Sequence, residues 1–240
     1  MIKHIPILLI LSFAWCMGSK AQSVQKTDWG IKTEINSIRV EIQYYSSSIV
    51  RVLKSPQGKP YTKESLSVIK TPQKTTLVLK QNGDVLSVSS PIIKVKLNMK
   101  NGQLVFAGKN GEQLLAEKTS GISFTDFNDA GHPTLHVSQS FVLDKDEAIY
   151  GLGQQQQGKM IQRNLKLNMV QGNTDDYIPF LLSVKGYGLF WDNYSPTLFS
   201  DNQDETSFTS EVGDCADYYF MAGGNADGVR EACRQMRRRA

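Results

Sequence analysis

Short β-type runs separated by turn signals constrain this fold more than any other feature of the sequence. They recur about every 8–12 residues, with no amphipathic helix between them, a spacing typical of antiparallel sandwiches and barrels. Three Asn-Gly pairs begin at Asn82, Asn101 and Asn110. Such pairs predict hairpin turns because both turn positions need a positive φ. We therefore predict an all-β fold, an antiparallel β-sandwich.

The first helix-like segment comes at the end of the chain. Val229–Met236 has a helical pattern, and Asn225 or Asp227 could cap its start. We assign residues 22–225 to the sandwich domain and residues 226–240 to the start of a linker helix with a basic tail.

The amino terminus has the three-part pattern of a secretory signal peptide. Lys3 precedes the apolar stretch Ile5–Gly18, and the small residues Ser19 and Ala21 suit cleavage before Gln22. We predict a signal peptide over residues 1–21 and a secreted or periplasmic protein with no membrane segment after cleavage. An uncleaved anchor is the alternative, although a spanning helix needs about 20 apolar residues.

The net charge of +4 comes from the two ends of the chain. The predicted signal peptide carries two lysines and residues 226–240 carry a net charge of +3, which leaves −1 for residues 22–225. A nucleic-acid-binding domain needs a basic face on its folded body, so we predict no nucleic-acid partner. Two cysteines remain in the mature chain, Cys215 and Cys233. They could pair in an oxidising compartment, and the sequence leaves this open.

Motifs for nucleophilic, phosphate or zinc chemistry do not occur in this sequence. We predict no cofactor and no metal site, because His132 and His136 have no evident third ligand nearby. Gly151-Leu152-Gly153 is too short for a phosphate loop and predicts a sharp backbone bend. We interpret the clustered carboxylates as solvated loop faces: Asp126/Asp129, Asp144/Asp146/Glu147, Asp175/Asp176 and Asp201/Asp204/Glu205.

A stretch rich in amides precedes an aromatic hairpin. Residues 154–177 contain many glutamines and asparagines, and residues 179–194 read as two apolar strands around a turn at 186–188. Aromatic faces stack on sugar C–H surfaces, and amides match hydroxyl pairs. A polar loop beside core aromatics would give the same composition, so composition alone does not establish a sugar site.

Four blocks follow one another in the second half of the sequence: Glu147-Ala148-Ile149-Tyr150-Gly151-Leu152-Gly153-Gln154, Asn173, Pro179-Phe180-Leu181-Leu182-Ser183 and Gly186-Tyr187-Gly188-Leu189-Phe190-Trp191-Asp192-Asn193. Their order and spacing resemble the N-terminal β-sandwich of glycoside hydrolase family 31, most clearly over residues 140–225. The resemblance implies a galactose-mutarotase-like sandwich that precedes a (β/α)8 barrel. The parent activity would be hydrolysis of α-linked glucosides or xylosides, as in secreted α-xylosidases and α-glucosidases.

The resemblance also implies where the chemistry lies. In the family, two aspartates of the barrel act as nucleophile and general acid in a retaining mechanism. The run Arg237-Arg238-Arg239-Ala240 ends the sequence before any barrel strand. We expect a front piece of such an enzyme, with no catalytic residue of its own, an α-linked oligosaccharide as ligand and the absent barrel as partner.

A loop before the Pro-Phe strand approaches the active site in this family. Many relatives present an aspartate there, and the corresponding position is Gln171. The resemblance makes Gln171, Asn173 and Asp175 the candidate substrate-binding residues. Two alternatives stay open: a stand-alone carbohydrate-binding sandwich and an aldose mutarotase. A mutarotase needs a positioned histidine and glutamate, and the surroundings of the two histidines do not resemble its motifs.

Overall fold

The computed structural model describes residues 23–58 and 64–237. Seventeen strands and one helix lie within these ranges: β1 (Gln25–Lys26), β2 (Gly30–Ile35), β3 (Ile38–Ser46), β4 (Ile49–Pro56), β5 (Val78–Asn82), β6 (Val85–Ser89), β7 (Ile93–Asn98), β8 (Leu104–Gly108), β9 (Gln113–Asp129), β10 (His132–Val142), β11 (Ile149–Gly151), β12 (Lys166–Met169), β13 (Phe180–Ser183), β14 (Tyr187–Trp191), β15 (Thr197–Asp201), β16 (Thr206–Gly213), β17 (Ala216–Ala222) and α1 (Ala226–Arg237). The predicted all-β class and the C-terminal helix are confirmed. The predicted signal peptide lies outside the described residues.

The strands of the described residues form two antiparallel sheets. One has eight strands in the order β1-β2-β3-β4-β17-β14-β13-β11, and the other has nine in the order β12-β15-β16-β10-β9-β8-β7-β6-β5. Alternation buries one face of each strand, as in β7, where Ile93, Val95 and Leu97 are fully buried. These buried faces form one continuous core between the sheets, which is the arrangement of a β-sandwich.

A second apolar cluster covers the outer face of the eight-stranded sheet. Val68 and Met236 pack there with Tyr219, Phe180 and Phe190. The helix α1 starts at its cap, where the Asn225 Oδ1 accepts the Gly228 amide proton at 2.9 Å. The helix ends against residues 69 and 70, whose amides both donate to the Met236 carbonyl. The helix and the segment around Val68 therefore form an extra layer on the sandwich.

This layer explains the aromatic hairpin β13–β14. Tyr187 and Trp191 are fully buried in the core between the sheets, where the Trp191 indole donates to the Ser210 Oγ at 2.9 Å. Phe180 and Phe190 pack instead in the outer cluster with α1. The hairpin therefore holds aromatics on both faces because both faces are covered.

Two predicted turns differ from the structure in detail. In the β5–β6 hairpin Asn82 still pairs with Val85, so the turn residues are Gly83 and Asp84. Of these, Gly83 has the positive φ, 55°, as expected at the first turn position of a type II′ turn. In the β13–β14 hairpin Gly186 has the positive φ, 78°. Tyr187 already belongs to the second strand, where its ring is needed in the core.

The two cysteines in the described part of the chain are not joined by a disulfide. Cys215 is buried, and Cys233 lies on α1. Within residues 23–58 and 64–237, no helix has the length and apolar character that crossing a bilayer requires.

Candidate functional site

The bend at Gly151–Gly153 anchors the loop that carries the candidate residues. All three residues of the bend have positive φ: 109° at Gly151, 62° at Leu152 and 92° at Gly153. Leu152 is buried, and its amide donates to the Phe180 carbonyl at 2.8 Å. A Cβ atom on Gly153 would lie 1.9 Å from the Asp176 carbonyl oxygen. The predicted sharp bend is confirmed, and glycine is needed there because the β12–β13 loop packs directly on the backbone.

Gln171 closes the loop instead of pointing away from it. Its Nε2 donates to the Tyr177 carbonyl at 2.8 Å, and its Oε1 accepts the Tyr177 amide proton at 2.9 Å. This pair of bonds imitates a β-bridge and ties the two ends of residues 171–177 together. Gln171 therefore orients the loop and the Tyr177 ring.

Asn173 and Asp175 lie within this closed loop in different environments. The Asp175 Oδ1 accepts the Gln156 amide proton at 3.0 Å, and the Asp175 carbonyl accepts the Gly172 amide proton at 3.1 Å. Asn173 is exposed and its side chain makes no hydrogen bond within the described part of the chain. Asp175 therefore supports the loop, and Asn173 presents an amide to the surroundings.

A cavity of about 530 Å³ lies between the β12–β13 and β14–β15 loops. We call it the loop cavity; its lining comes from these two loops, with Ser67, Phe190 and Arg237 completing the wall. Gln171 lines it, whereas Asn173 and Asp175 do not. Partial burial, and then the nearby Asp175 charge, raise the pKa of Tyr177, another lining residue.

The β14–β15 loop is held by a compact set of hydrogen bonds. The Asn193 Oδ1 accepts from both the amide and the hydroxyl of Ser195, at 2.8 and 2.9 Å. The Asn193 Nδ2 donates to the Val212 carbonyl at 3.0 Å. These bonds fix the backbone on both sides of Tyr194, whose ring is 49% exposed at the cavity.

Two of the carboxylates interpreted as solvated, Glu147 and Asp201, are buried, which corrects that part of the sequence interpretation. Glu147 is 4% exposed and accepts hydrogen bonds from the Ser183 and Tyr187 hydroxyls, each at 2.5 Å. Asp201 is 4% exposed and accepts from the Arg163 Nε at 2.9 Å. Their hydroxyl and guanidinium partners lie far away in sequence, so the sequence clusters did not reveal them. Both groups stabilise the sandwich near the candidate loop.

The histidines lie on β10, away from any recognisable ligand set. The His136 ring packs on Phe127 with the ring centroids 4.2 Å apart. Within the described ranges, no three side chains of the metal-binding types come together.

Comparisons with known proteins agree with the fold and with the sequence blocks. Residues 39–199 match the family described as the glycosyl hydrolase 31 N-terminal galactose mutarotase-like domain. This match covers most of the chain, so the protein belongs to that domain family. The resemblance in the sequence is thereby confirmed.

The similar proteins are longer than this chain. An α-xylosidase of Saccharolobus solfataricus is 32% identical in an alignment 212 residues long, which covers 84% of this chain and 28% of that protein. Alpha-glucosidase 2 of Bacillus thermoamyloliquefaciens is 27% identical over 80% of this chain and 25% of its own length. The chain thus spans about a quarter of these relatives.

Solved structures show the same relationship. A crystal structure of a family 31 α-xylosidase from Xanthomonas citri is 32% identical, with a TM-score of 0.70, over 74% of this chain and 20% of that chain. A Flavobacterium johnsoniae family 31 dextranase has a TM-score of 0.74 at 24% identity, over 90% of this chain and 28% of the dextranase. At 24% identity, the likeness to the dextranase shows a shared fold.

Proposed function

We propose that this protein is the N-terminal domain of a family 31 α-glycosidase that hydrolyses α-linked glucosides or xylosides. The observation that carries the proposal is the match to the family 31 domain over residues 39–199. The similar proteins include an α-xylosidase and an α-glucosidase. The hydrolytic carboxylates would come from a catalytic barrel, which acts here as the partner of the sandwich.

Within this assignment the loop over residues 171–177 is the part that meets the oligosaccharide. Asn173 is the direct contact, because its exposed amide has no partner in the described part of the chain. An amide offers both donors and an acceptor to adjacent sugar hydroxyls. Gln171 and Asp175 act through the loop: the first ties it to Tyr177 and the second holds the Gln156 amide.

We also propose that the protein is exported. The support is the pattern over residues 1–21, with its apolar stretch and small residues before Gln22. An extracellular or periplasmic location fits an enzyme that degrades oligosaccharides from outside the cell. N-terminal sequencing of the protein recovered from its compartment tests this, with Gln22 as the expected first residue.

A chimera tests the proposed function. Residues 23–237 replace the matching N-terminal region of the Saccharolobus solfataricus α-xylosidase, and hydrolysis of p-nitrophenyl α-xyloside and α-glucoside is measured. We expect a folded chimera to hydrolyse at least one of them, and Asn173→Ala to raise KM while kcat changes little. Asn110→Ala, on an exposed turn of the same sandwich, is the matched control. A folded chimera that hydrolyses neither substrate contradicts the proposal.

A further inference from the structure

We propose that the outer face of strands β5–β7 binds the surface of an anionic lipid bilayer. These three strands form one end of the nine-stranded sheet, and this face points away from the core. It is separate from the loop assigned to the oligosaccharide, so the function goes beyond hydrolysis. We call this surface the lysine face, and its outward-facing residues are Val78, Lys80, Asn82, Val85, Ser87, Ser89, Lys94, Lys96 and Asn98.

Positive charge is concentrated in the part of the chain that forms this face. Residues 70–110 contain seven lysines and one acidic residue, Asp84, which gives a net charge of +6. Residues 22–225 as a whole carry −1, so the remainder of this body carries −7. The near-neutral total of the sandwich therefore conceals a strong separation of charge.

Three of these lysines project from the same side of the sheet. The register places Lys80 opposite Ser87 and Ser87 opposite Lys96, and cross-strand partners share a face. Lys94 and Lys96 alternate along β7 with fully buried core residues, so both point outward. From the spacing of strands and of residues along a strand, each lysine lies within about 10 Å of another, measured between Cα atoms.

The charges of these three lysines are not balanced by the protein. Within residues 23–58 and 64–237, Lys80, Lys94 and Lys96 take part in no ion pair and no side-chain hydrogen bond. The lysine face contains no carboxylate, and Asp84 at its edge pairs with Lys100 at 2.7 Å. Because the lysine spacing is close to the Debye length of about 8 Å at physiological ionic strength, the ammonium groups repel one another. An anionic partner would relieve this repulsion.

Apolar side chains are exposed among the lysines. Val78 is 50% and Val85 is 36% exposed on the lysine face, and Ile92, in the β6–β7 turn, is 40% exposed. Surfaces that bind at a bilayer interface combine such apolar groups, which enter the boundary between headgroups and acyl chains, with lysines that stay at the lipid phosphates. The composition of this face therefore matches an anionic bilayer.

Other polyanions fit this face less well. Proteins that bind single-stranded nucleic acid use aromatic side chains as stacking platforms, and duplex readers insert a helix or a ribbon into a groove. The lysine face has neither an aromatic residue nor an arginine, and it belongs to a broad sheet. A lysine ammonium is a point charge on a flexible stem and needs no fixed partner geometry, which suits a fluid layer of headgroups.

Cosedimentation with vesicles tests this inference. The protein is recovered from its compartment, so that any leader is already removed. It is mixed with vesicles of phosphatidylcholine alone, or with phosphatidylcholine containing about 30% phosphatidylglycerol as the anionic lipid. The triple variant Lys80→Gln/Lys94→Gln/Lys96→Gln removes the lysine cluster. Heparin and duplex DNA are tested as alternative polyanions.

A second triple variant controls for the change in net charge. Lys26→Gln/Lys145→Gln/Lys166→Gln removes three exposed lysines that lie on β1, on the loop after β10 and on β12. Both triple variants lower the net charge equally, and the basic tail is the same in both. Circular dichroism checks that each variant is folded.

We expect saturable binding to the anionic vesicles and little binding to the neutral ones. A lysine near an anionic surface strengthens binding about fivefold, so the cluster variant should bind at least about 20-fold more weakly. The control variant should lose less than about threefold. Raising NaCl from about 0.1 M to about 1 M, which shortens the Debye length to about 3 Å, should release the protein.

Three results would overturn the lipid surface. Absence of binding to anionic vesicles does so, whether or not heparin or DNA binds. Binding that survives in the cluster variant places the contact elsewhere, for example on the basic tail. Equal losses in the two triple variants would show that overall charge, and not this face, attracts the lipid. None of these results involves sugar or hydrolysis, so the function proposed above is tested separately.

Discussion

The Lys54 Nζ lies 2.6 Å from the Glu117 Oε2 and joins the two sheets of the sandwich through a buried ion pair. The side chains are 3% and 1% exposed. Glu117 also accepts the Tyr218 hydroxyl proton at 2.6 Å and the Leu104 amide proton at 2.7 Å. The Lys54 ammonium donates in addition to the Gly102 carbonyl at 2.9 Å. The Glu117 carboxylate therefore accepts hydrogen bonds from three strands at once, β4, β8 and β17.

Replacing Glu117 by Gln should destabilise the protein by about 3–5 kcal/mol, because it leaves the Lys54 charge buried without a counter-charge. Lys54→Met should cost a similar amount for the converse reason. The double variant should cost clearly less than the sum of the two, since neither charge then remains. Urea unfolding of the four proteins measures this. Asp84→Asn, which breaks the exposed pair with Lys100, is the control and should change stability little. Additive losses would contradict the pairing.

This pair also marks the limit of prediction from the sequence. The strand rhythm and the Asn-Gly turns predicted the sandwich, because they depend on neighbouring residues. The partners Lys54 and Glu117 are 63 residues apart, and their contact depends on which strands face each other across the core. No local pattern contains that information. For the same reason the sequence alone does not show that Glu147 is buried.

The candidate loop was predictable in part. The amide-rich composition and the family blocks pointed to Gln171, Asn173 and Asp175. Their different roles depend on contacts with the Tyr177 and Gln156 backbone, and backbone contacts leave no residue-specific trace in a sequence. The cavity could not be anticipated either, because its two loops are separated by the whole β13–β14 hairpin.

Alkaline conditions should unfold the protein through its buried tyrosines. Burial raises the pKa of Tyr44, Tyr187, Tyr218 and Tyr219 above the usual value of 10. In the unfolded chain these phenols lose their protons near pH 10, whereas in the folded protein they keep them. The unfolded state then binds fewer protons, so stability is fully present below pH 10 and falls as the pH rises beyond it.

Each of these tyrosines should remove about 1.4 kcal/mol of stability per pH unit above pH 10. Urea unfolding between pH 8 and pH 11.5 measures the slope, and tyrosinate absorbance at 295 nm reports ionisation. Tyr44→Phe loses one hydrogen bond to the Val88 carbonyl. It should also reduce the slope by about 1.4 kcal/mol per pH unit, because unfolding then releases one proton fewer. A slope that is the same in this variant would show that Tyr44 ionises normally in the folded protein.

Gly153→Ala should disturb the β12–β13 loop. The new Cβ would meet the Asp176 carbonyl at 1.9 Å, at a φ of 92° that alanine avoids. The strained conformation alone costs about 1–3 kcal/mol, and relief requires the loop to move off the bend. Thermal unfolding measures the loss. Gly172→Ala, in the same loop with open space around it and no positive φ, is the control and should be close to neutral. Equal losses in both variants would contradict the role of the bend.

Met236→Ala should loosen α1 from the outer face of the sandwich. Met236 is 1% exposed in the cluster with Tyr219 and Val68, and truncating a buried methionine costs about 2–5 kcal/mol. Because α1 lies at the edge of the fold, this loss should appear as local opening of the helix. Cys233 reports that opening, since burial raises the pKa of its thiol and so lowers the fraction of the reactive thiolate. We expect labelling by a thiol reagent to become at least about tenfold faster, as a lost stabilisation of more than 1.4 kcal/mol implies. The Cys233→Ser variant shows which part of the labelling comes from Cys233. An unchanged labelling rate in Met236→Ala would mean that Met236 does not hold the helix in place.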